Sequence, residues 1–234
     1  MMTERVYETL LVIDGKPVEE QGHLKRLRQA TGLDASEFLA KAAAGLNGYH
    51  RLRLDFTPPK SLTDTPTRIE VPDLLVGKFT RLKVVSKQLK DLRLNAGHGS
   101  LKIAKRHELE ALEAQAAPAI PLLVDGSEHI LETTRHNVFI IEGESLLTPP
   151  LDGRILPGVT RQVVISEAQK LGLTCLEEPL TLKRAEAASG MLLTNAVIGI
   201  GWVEQCNDTH WPDIPPAARQ LHKALAERWR NSPT

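Results

Sequence analysis

The sequence predicts an α+β fold in two parts, and three observations carry that reading. Stretches of strand-like alternation are mixed with stretches of helical spacing, without the regular strand–helix–strand alternation of a doubly wound sheet. The run Asn95 to Ser100 holds two glycines and, apart from Ala96, no apolar residue, which marks a boundary between residues 1–94 and 95–234. The length, 234 residues, suffices for one large domain or two small ones.

The elements follow in order. Val6 to Ile13 is rich in aliphatic and β-branched residues and ends at Asp14-Gly15, so it reads as a strand, a tight turn and a short second strand near Lys16 to Glu19. His23 to Thr31 places apolar residues at helical spacing and closes at Gly32. Asp34 is the N-cap candidate of a second helix, with Phe38, Leu39 and Ala42 inward and an end near Gly45 or Gly48. Tyr49 to Phe56 alternates, Leu52 and Leu54 facing one way and Arg51, Arg53 and Asp55 the other. Pro58 to Pro72, with four prolines, reads as a loop, and Leu82 to Ser86 as a strand. Beyond the boundary, Leu101 to Ala116 is helical in composition. Ile120 to Val124 and His129 to Glu132 form one expected hairpin, and Val138 to Ile141 and Ser145 to Thr148 another. Helices are expected over Thr160 to Leu171, Leu182 to Ala188 and Pro215 to Trp229, with an apolar buried strand within Met191 to Val203.

Composition narrows the function classes. Twenty-nine basic and 29 acidic side chains give a net charge of zero, which favours neither nucleic acid nor an anionic membrane as partner. The N-terminus lacks a signal-peptide pattern, and no stretch approaches the roughly 20 apolar residues of a membrane span, so a cytoplasmic location is expected. Two cysteines, Cys175 and Cys206, make a disulfide framework or a cysteine-rich metal site an unpromising reading, and no metal is expected.

The chemistry is carried by a series of segments. Lys102 lies in Gly99-Ser100-Leu101-Lys102-Ile103-Ala104-Lys105-Arg106, between a glycine-rich turn and a helix. Glu132 opens Glu132-Thr133-Thr134-Arg135-His136-Asn137-Val138-Phe139, and Leu156-Pro157-Gly158-Val159-Thr160-Arg161 is a glycine turn opening a helix. A lysine, a carboxylate and an anion-binding helix start, in this order, meet the needs of pyridoxal phosphate: an amine for its aldehyde, an acid for its ring nitrogen and a cradle for its phosphate. Taken singly each has a plain structural reading. A lysine at a helix start is usually solvated, a glutamate at a strand end is usually exposed, Arg26 is ordinarily a surface arginine, and Gly158 could open an ordinary helix.

Together the segments resemble the class IV aminotransferase family, the fold-type IV pyridoxal-phosphate enzymes, which include branched-chain and D-amino-acid aminotransferases and aminodeoxychorismate lyase. Val6-Tyr7-Glu8-Thr9 with Asp14-Gly15 resembles the first strand pair, and His23-Leu24-Lys25-Arg26-Leu27 the His-x-x-Arg-Leu segment. Leu101-Lys102 with Arg106 is similar to the segment holding the Schiff-base lysine, Glu132 to Phe139 to the strand whose glutamate meets the pyridine nitrogen, and Leu156 to Arg161 to the phosphate turn. The resemblance implies a D-amino-acid-aminotransferase-like two-domain fold and a homodimer in which the smaller domain completes the partner's substrate site. It also implies Lys102 as Schiff-base lysine and acid–base group. Arg26, Glu132, Gly158, Val159, Thr160, Asn195 and Ala196 would be the other cofactor-binding residues. Tyr7, Arg93, His98 and Arg135 are candidates for a small amino substrate.

Within the family, Thr194-Asn195-Ala196 and the run Leu101-Lys102, Arg106, Glu108 resemble aminodeoxychorismate lyase. They imply formation of 4-aminobenzoate and pyruvate from 4-amino-4-deoxychorismate, in folate synthesis. Transamination of a branched-chain or D-amino acid is the alternative, and a non-catalytic phosphate-ligand-binding module a third reading. Family members carry a strand and a Gly-Asp-Gly turn ahead of the Val-Tyr-Glu segment, whereas five residues precede Val6 here, and Phe56 to Arg81 is also shortened. The walls of the substrate site are therefore expected to differ.

Overall fold

The computed structural model describes residues 5–58, 61–88 and 107–231. Strand β1 (Val6–Ile13) turns at Asp14-Gly15, both at positive φ, into the short β2 (Lys16–Pro17). Helix α1 (Glu20–Thr31) buries His23, Arg26 and Leu27, spaced i, i+3 and i+4 on one face, and ends where Gly32 takes φ 75°. Helix α2 (Ser36–Ala43) follows, its chain entry held by Asp34, whose Oδ1 accepts from the Ser36 N–H and hydroxyl. Ala35, rather than Asp34, occupies the cap position.

Strand β3 (Tyr49–Thr57) pairs with β1 along its whole length, from Val6 opposite Phe56 to Ile13 opposite Tyr49. The stretch expected as a loop after Pro58 instead forms β4 (Ser61–Arg68), an outer strand paired with β3. Its four threonine and serine residues suit extended backbone, and Pro66 is tolerable because one side of an edge strand needs no ladder partner. The first sheet thus runs β2-β1-β3-β4. Val6, Leu10 and Val12 of β1 and Leu52, Leu54 and Phe56 of β3 point to one face, where they form a core with Leu27, Ala35, Leu39 and Ala43.

The second sheet contains β5 (Thr80–Gln88), β6 (Ile120–Val124), β7 (Ile130–Thr133), β8 (Asn137–Glu142), β9 (Ser145–Thr148), β10 (Thr174–Glu177), β11 (Gly190–Asn195), β12 (Gly199–Cys206) and β13 (Thr209–His210). Its order is β10-β9-β8-β11-β12-β5-β6-β7, with β13 beside β12. Strand β5 is parallel to both β12 and β6. Sheet membership therefore changes between Arg68 and Thr80, ahead of the boundary expected at residue 94. The apolar stretch Met191 to Val203 is two antiparallel strands, reversed at residues 196–198. Gly199 takes φ 71°, and a Cβ there would meet Leu74 at 2.5 Å. Helices α3 (His107–Ala116), α4 (Val159–Lys170), α5 (Leu182–Ala187) and α6 (Pro216–Arg230) complete the fold. Helix α6 opens with proline at its first position and turns Ala218, Leu221, Leu225, Ala226 and Trp229 inward.

The two sheets meet along one face of the first. Leu11 of β1 belongs to the large core around Phe139, Trp202 and Leu225, and Ile13 and Tyr49 pack against it. The same face continues along β1 and β3 to Tyr7, Arg53 and Asp55, because residues opposite one another or two apart on paired strands share a side. At the other end, Arg228 of α6 donates to both carboxylate oxygens of Glu19 at 2.5 and 2.7 Å and to Glu167 of α4 at 3.3 Å. This pins the start of α1 to the second layer.

Candidate functional site

The junction of β7, β8, α4 and α1 gathers the polar groups. The turn between β7 and β8 is organised by Thr133, whose hydroxyl accepts from the N–H groups of Arg135 and His136 at 3.2 and 2.9 Å and contacts His136 Nδ1 at 3.0 Å. That compact turn brings Glu132 and Asn137 side by side. Asn137 Nδ2 donates to Glu132 Oε2 at 3.1 Å and to the Leu156 carbonyl at 2.8 Å, while the Leu156 N–H donates to the same Glu132 oxygen at 3.1 Å. The carboxylate of Glu132 is thereby fixed to the chain entering the glycine turn.

Gly158 is the N-cap of α4, with no side-chain cap. Its φ of −64° is open to any residue. Glycine is required by space: a Cβ there would fall 1.9 Å from Asn137 Oδ1 and 3.3 Å from Arg161 Cβ. The first N–H groups of α4, including those of Val159 and Thr160, have no intrahelical acceptor and carry the positive end of the helix dipole. Gly22 of α1 packs against Val159, since a Cβ on it would lie 2.6 Å from Val159 Cγ1.

Arg26 reaches this turn from α1. Its Nη1 donates to the Pro157 carbonyl at 2.9 Å, while Nε and Nη2 each donate to Glu8 at 2.6 Å. Glu8 also meets His23 Nδ1 at 3.0 Å. All three side chains are buried. Burial opposes the charge on Glu8, but Arg26 and His23 outweigh it and hold the carboxyl far below its ordinary value. Burial likewise works against the Arg26 charge, and Glu8 more than restores it. Two of the five guanidinium N–H groups of Arg26 remain beyond these three bonds.

On the far side of Asn137, Thr194 of β11 is its cross-strand partner. The Thr194 hydroxyl is buried and has no hydrogen-bond partner among the described residues. Asn195 Oδ1 accepts from the N–H groups of Val197 and Ile198 at 2.8 and 2.9 Å, closing the turn between β11 and β12. Its oxygen is thus committed to the turn, and its Nδ2 makes no hydrogen bond among the described residues. Ala196 lies in that turn.

Tyr7 is buried on the face of β1 opposite Glu8, within electrostatic range of Arg26, Arg53 and Arg135. Arg135 is exposed, and its Nε and Nη2 are taken by Glu113 of α3 at 2.9 and 2.6 Å. Lys102, Arg93 and His98 lie outside the described residues, as do Lys105 and Arg106. The structure brings together Arg26, Glu132, Gly158, Val159 and Tyr7, with Asn195 at the end of the strand beside Asn137. Glu8 and Asn137 were not named as site residues from the sequence, and Thr194 was named only as part of the segment resembling the lyase. Glu8 carries a legible signal, a carboxylate on the otherwise apolar side Val6, Leu10, Val12 of a strand. Asn137 stands inside the Glu132 motif, but its bridging role depends on the turn that folds the two together.

The donor set suits a phosphorylated pyridine. A glycine-only helix start, an arginine with residual N–H groups and a buried hydroxyl that has no hydrogen-bond partner among the described residues are groups that could take an anion, and a fixed carboxylate stands at the same turn. Among the described residues no group of His, Cys, Asp and Glu side chains could hold a metal ion, and no helix is long and apolar enough to cross a membrane.

Comparison with known proteins agrees with this geometry. Residues 61–206 match the family model described as amino-transferase class IV. A relative named probable branched-chain-amino-acid aminotransferase, from Rickettsia felis, is 35% identical over 106 residues, 45% of this chain and 35% of that protein. The first relatives matched share less than two fifths of their own length with the chain. Aminodeoxychorismate lyase from Bacillus subtilis is 27% identical over 222 residues, 83% of this chain and 75% of that one. Among solved structures, a hypothetical aminotransferase from Mycobacterium tuberculosis in its PLP-bound form superposes with a TM-score of 0.80 at 21% identity. The match covers 98% of this chain and 90% of that one, and shows a common fold.

Proposed function

Because the chain belongs to the class IV aminotransferase family, we propose that it is a pyridoxal-phosphate enzyme. We assign it the conversion of 4-amino-4-deoxychorismate to 4-aminobenzoate and pyruvate. The observation that carries the cofactor assignment is the Glu132 carboxylate, fixed by Asn137 and the Leu156 N–H at the mouth of the Gly158 turn. The family uses pyridoxal phosphate, which when bound supplies an aldehyde for the substrate amine and an electron sink for the adjacent carbon.

The residues then have separate tasks. Glu132 would accept a hydrogen bond from the ring nitrogen and favour its protonated form. The N–H groups of Val159 and Thr160, the residual N–H groups of Arg26 and the segment Thr194 to Ala196 would hold the phosphate. Lys102, on its sequence match, supplies the amine that links the cofactor and moves the proton at the amine-bearing carbon. In the proposed reaction that carbon loses its proton, the ether bond to the enolpyruvyl group breaks as the ring becomes aromatic, and the departing enolate takes up one proton at its methylene carbon to become pyruvate. The favourable formation of the aromatic ring gives the elimination its direction.

The lyase assignment rests on Thr194-Asn195-Ala196 and on the extent of the match to the Bacillus subtilis lyase. Transamination is the second reading, favoured by the higher identity of the shorter match to aminotransferases. Purified protein with added pyridoxal phosphate should gain visible absorption, and borohydride reduction with peptide mapping should place the label on Lys102 rather than Lys105. Pyruvate release from aminodeoxychorismate without keto-acid-dependent amino transfer supports the lyase. Amino transfer without 4-aminobenzoate overturns it and leaves the cofactor assignment standing. A homodimer in the cytoplasm is part of the same proposal, and sedimentation as a monomer at micromolar concentration would count against it.

A further inference from the structure

Helix α4 begins with a buried arginine as well as with free N–H groups. Arg161, three residues past Gly158, is fully buried. Its stem runs so close to the turn that a Cβ on Gly158 would lie 3.3 Å from Arg161 Cβ. Its guanidinium reaches two strand ends. Nη2 donates to the Pro149 carbonyl, just past β9, at 2.8 Å and to Glu177 Oε2, at the end of β10, at 2.7 Å. Nε donates to the Thr148 hydroxyl at 3.3 Å. That hydroxyl donates in turn to the Val138 carbonyl at 2.7 Å. Val138 follows Asn137, the residue that holds Glu132.

Stability alone accounts poorly for this residue. The Glu177 side chain is 43% exposed while that of Arg161 is not exposed at all, so water screens one charge of the pair and not the other. Nη1 is buried and has no hydrogen-bond partner among the described residues, which is unfavourable for a charged donor. An apolar side chain of similar volume often replaces a buried ion pair at no loss of stability. What an apolar side chain lacks is direction. The planar fork of Arg161 meets three acceptors on two strand ends and so fixes how the first turn of α4 sits on the sheet. Asn137 fixes the entry to that turn through the Leu156 carbonyl, and Arg161 fixes its third residue through Thr148 and Val138. Both routes end on the first residues of β8. Val159 and Thr160 lie between them, tied at either end to the strand that places Glu132.

We infer, resting on the pyridoxal-phosphate reading for the identity of the ligand, that Arg161 is a positioning residue for the phosphate site. It acts through the helix start and is not itself a ligand of the phosphate. Its task is to hold the N–H groups of Val159 and Thr160 in register with the Glu132 carboxylate, so that one rigid molecule can meet both. A site whose supporting side chains are locked before the ligand arrives loses little freedom on binding. Loosening Arg161 should therefore weaken the phosphate end of the ligand and leave the ring end as it was.

The test is a pair of titrations followed by visible absorbance, with pyridoxal 5′-phosphate and with pyridoxal, which lacks the phosphate, on wild-type protein, R161M and T148V. R161M should lose roughly 4- to 12-fold in affinity for the phosphorylated aldehyde, half the worth of one charge-assisted hydrogen bond. Its affinity for pyridoxal should be unchanged. T148V removes the link to Val138 and keeps the bonds of Arg161 to Pro149 and Glu177. It should lose roughly 2- to 10-fold with the same selectivity, and it carries the test if R161M does not fold. Equal affinity for the phosphorylated aldehyde in wild type and variants overturns the inference, and so does an equal loss for both aldehydes, which a merely structural role would give. A wild-type protein that takes up neither aldehyde overturns the pyridoxal reading instead. Calorimetric titration with inorganic phosphate then decides Arg161: a roughly 4- to 12-fold weaker affinity in R161M supports its role, and equal affinity overturns it.

Discussion

Replacing Gly158 by alanine tests whether the turn and the Glu132 carboxylate are one device. The backbone of Gly158 is already in a region open to alanine, so the substitution introduces no dihedral strain. Its effect comes from space alone. The new methyl would stand 1.9 Å from Asn137 Oδ1 and 3.1 Å from Asn137 Cγ, and the amide must rotate or withdraw. Withdrawal breaks its bonds to Glu132 Oε2 and to the Leu156 carbonyl. One of these is charge-assisted and one neutral, and together they stabilise by about 2–4 kcal/mol. For a domain of this size such a loss lowers Tm by roughly 5–15 °C. Cofactor affinity should fall as well, by about 5- to 30-fold, if half of that energy is felt at the carboxylate. The assay is a thermal melt paired with a pyridoxal-phosphate titration followed by absorbance. A double-mutant cycle sharpens it: N137A removes the clashing atoms and the bonds together, so G158A added to N137A should cost little more. G158A with unchanged Tm and cofactor affinity, or strict additivity with N137A, would refute the reasoning.

Further outcomes follow from other contacts. Glu8→Gln leaves Arg26 buried without its counter-charge and should cost about 3–5 kcal/mol, read as a shift in denaturant midpoint. The folded carboxyl of Glu8 lies far below its ordinary 4.5, so its stabilising effect is complete above that pH and drains as pH falls below it. Wild-type Tm should therefore drop more steeply than that of E8Q on acidification, and parallel pH profiles would contradict this. Arg228→Leu removes the bonds to Glu19 and Glu167. The pair is partly exposed, so the loss should be only about 1 kcal/mol, a few degrees in a melt. Cys206 is buried, with its thiol pushed up to about 12. A thiol reagent at neutral pH should modify the half-buried Cys175 first and Cys206 only on unfolding, and mass spectrometry of the labelled peptides distinguishes the order.

The sequence made most elements readable because local pattern and tertiary burial agree in them. The alternation in Tyr49 to Phe56 is obeyed by Leu52 and Leu54, and the spacing of His23, Arg26 and Leu27 is obeyed by α1. Where the two disagree, the reading failed. β4 is a strand without a buried face, so it lacks alternation, and its one proline, Pro66, looks like a loop residue. Met191 to Val203 is buried on both strands of a tight hairpin, and its apolar run hides the reversal. The placing of β5 in the second sheet depends on long-range parallel pairing with β12, which no local signal announces. In the candidate site, Glu132, Arg26 and Gly158 could be named from ordered motifs, whereas the Asn137 bridge and the burial of the Thr194 hydroxyl arise only when β7, β8 and β11 lie together.

Arg26 shows why the first sheet matters to a cradle built mostly from the second. A buried arginine facing only a phosphate would be an uncompensated charge whenever the ligand is absent, and that costs several kcal/mol. Glu8 removes the cost by pairing with Nε and Nη2, and in doing so cancels most of the attraction Arg26 could offer an anion at a distance. What remains is directional: two N–H groups, and a bond to the Pro157 carbonyl that fixes the turn itself. Long-range attraction for an anion in the cradle must then come from the start of α4, whose N–H groups need no counter-ion. The position of Arg26 comes from α1, which is held by Glu8 at its middle, by Gly22 against Val159, and by Glu19 to Arg228 at its start. Geometry is supplied by the first layer and electrostatic attraction by the second, and a change at either end of α1 acts on the turn through Pro157.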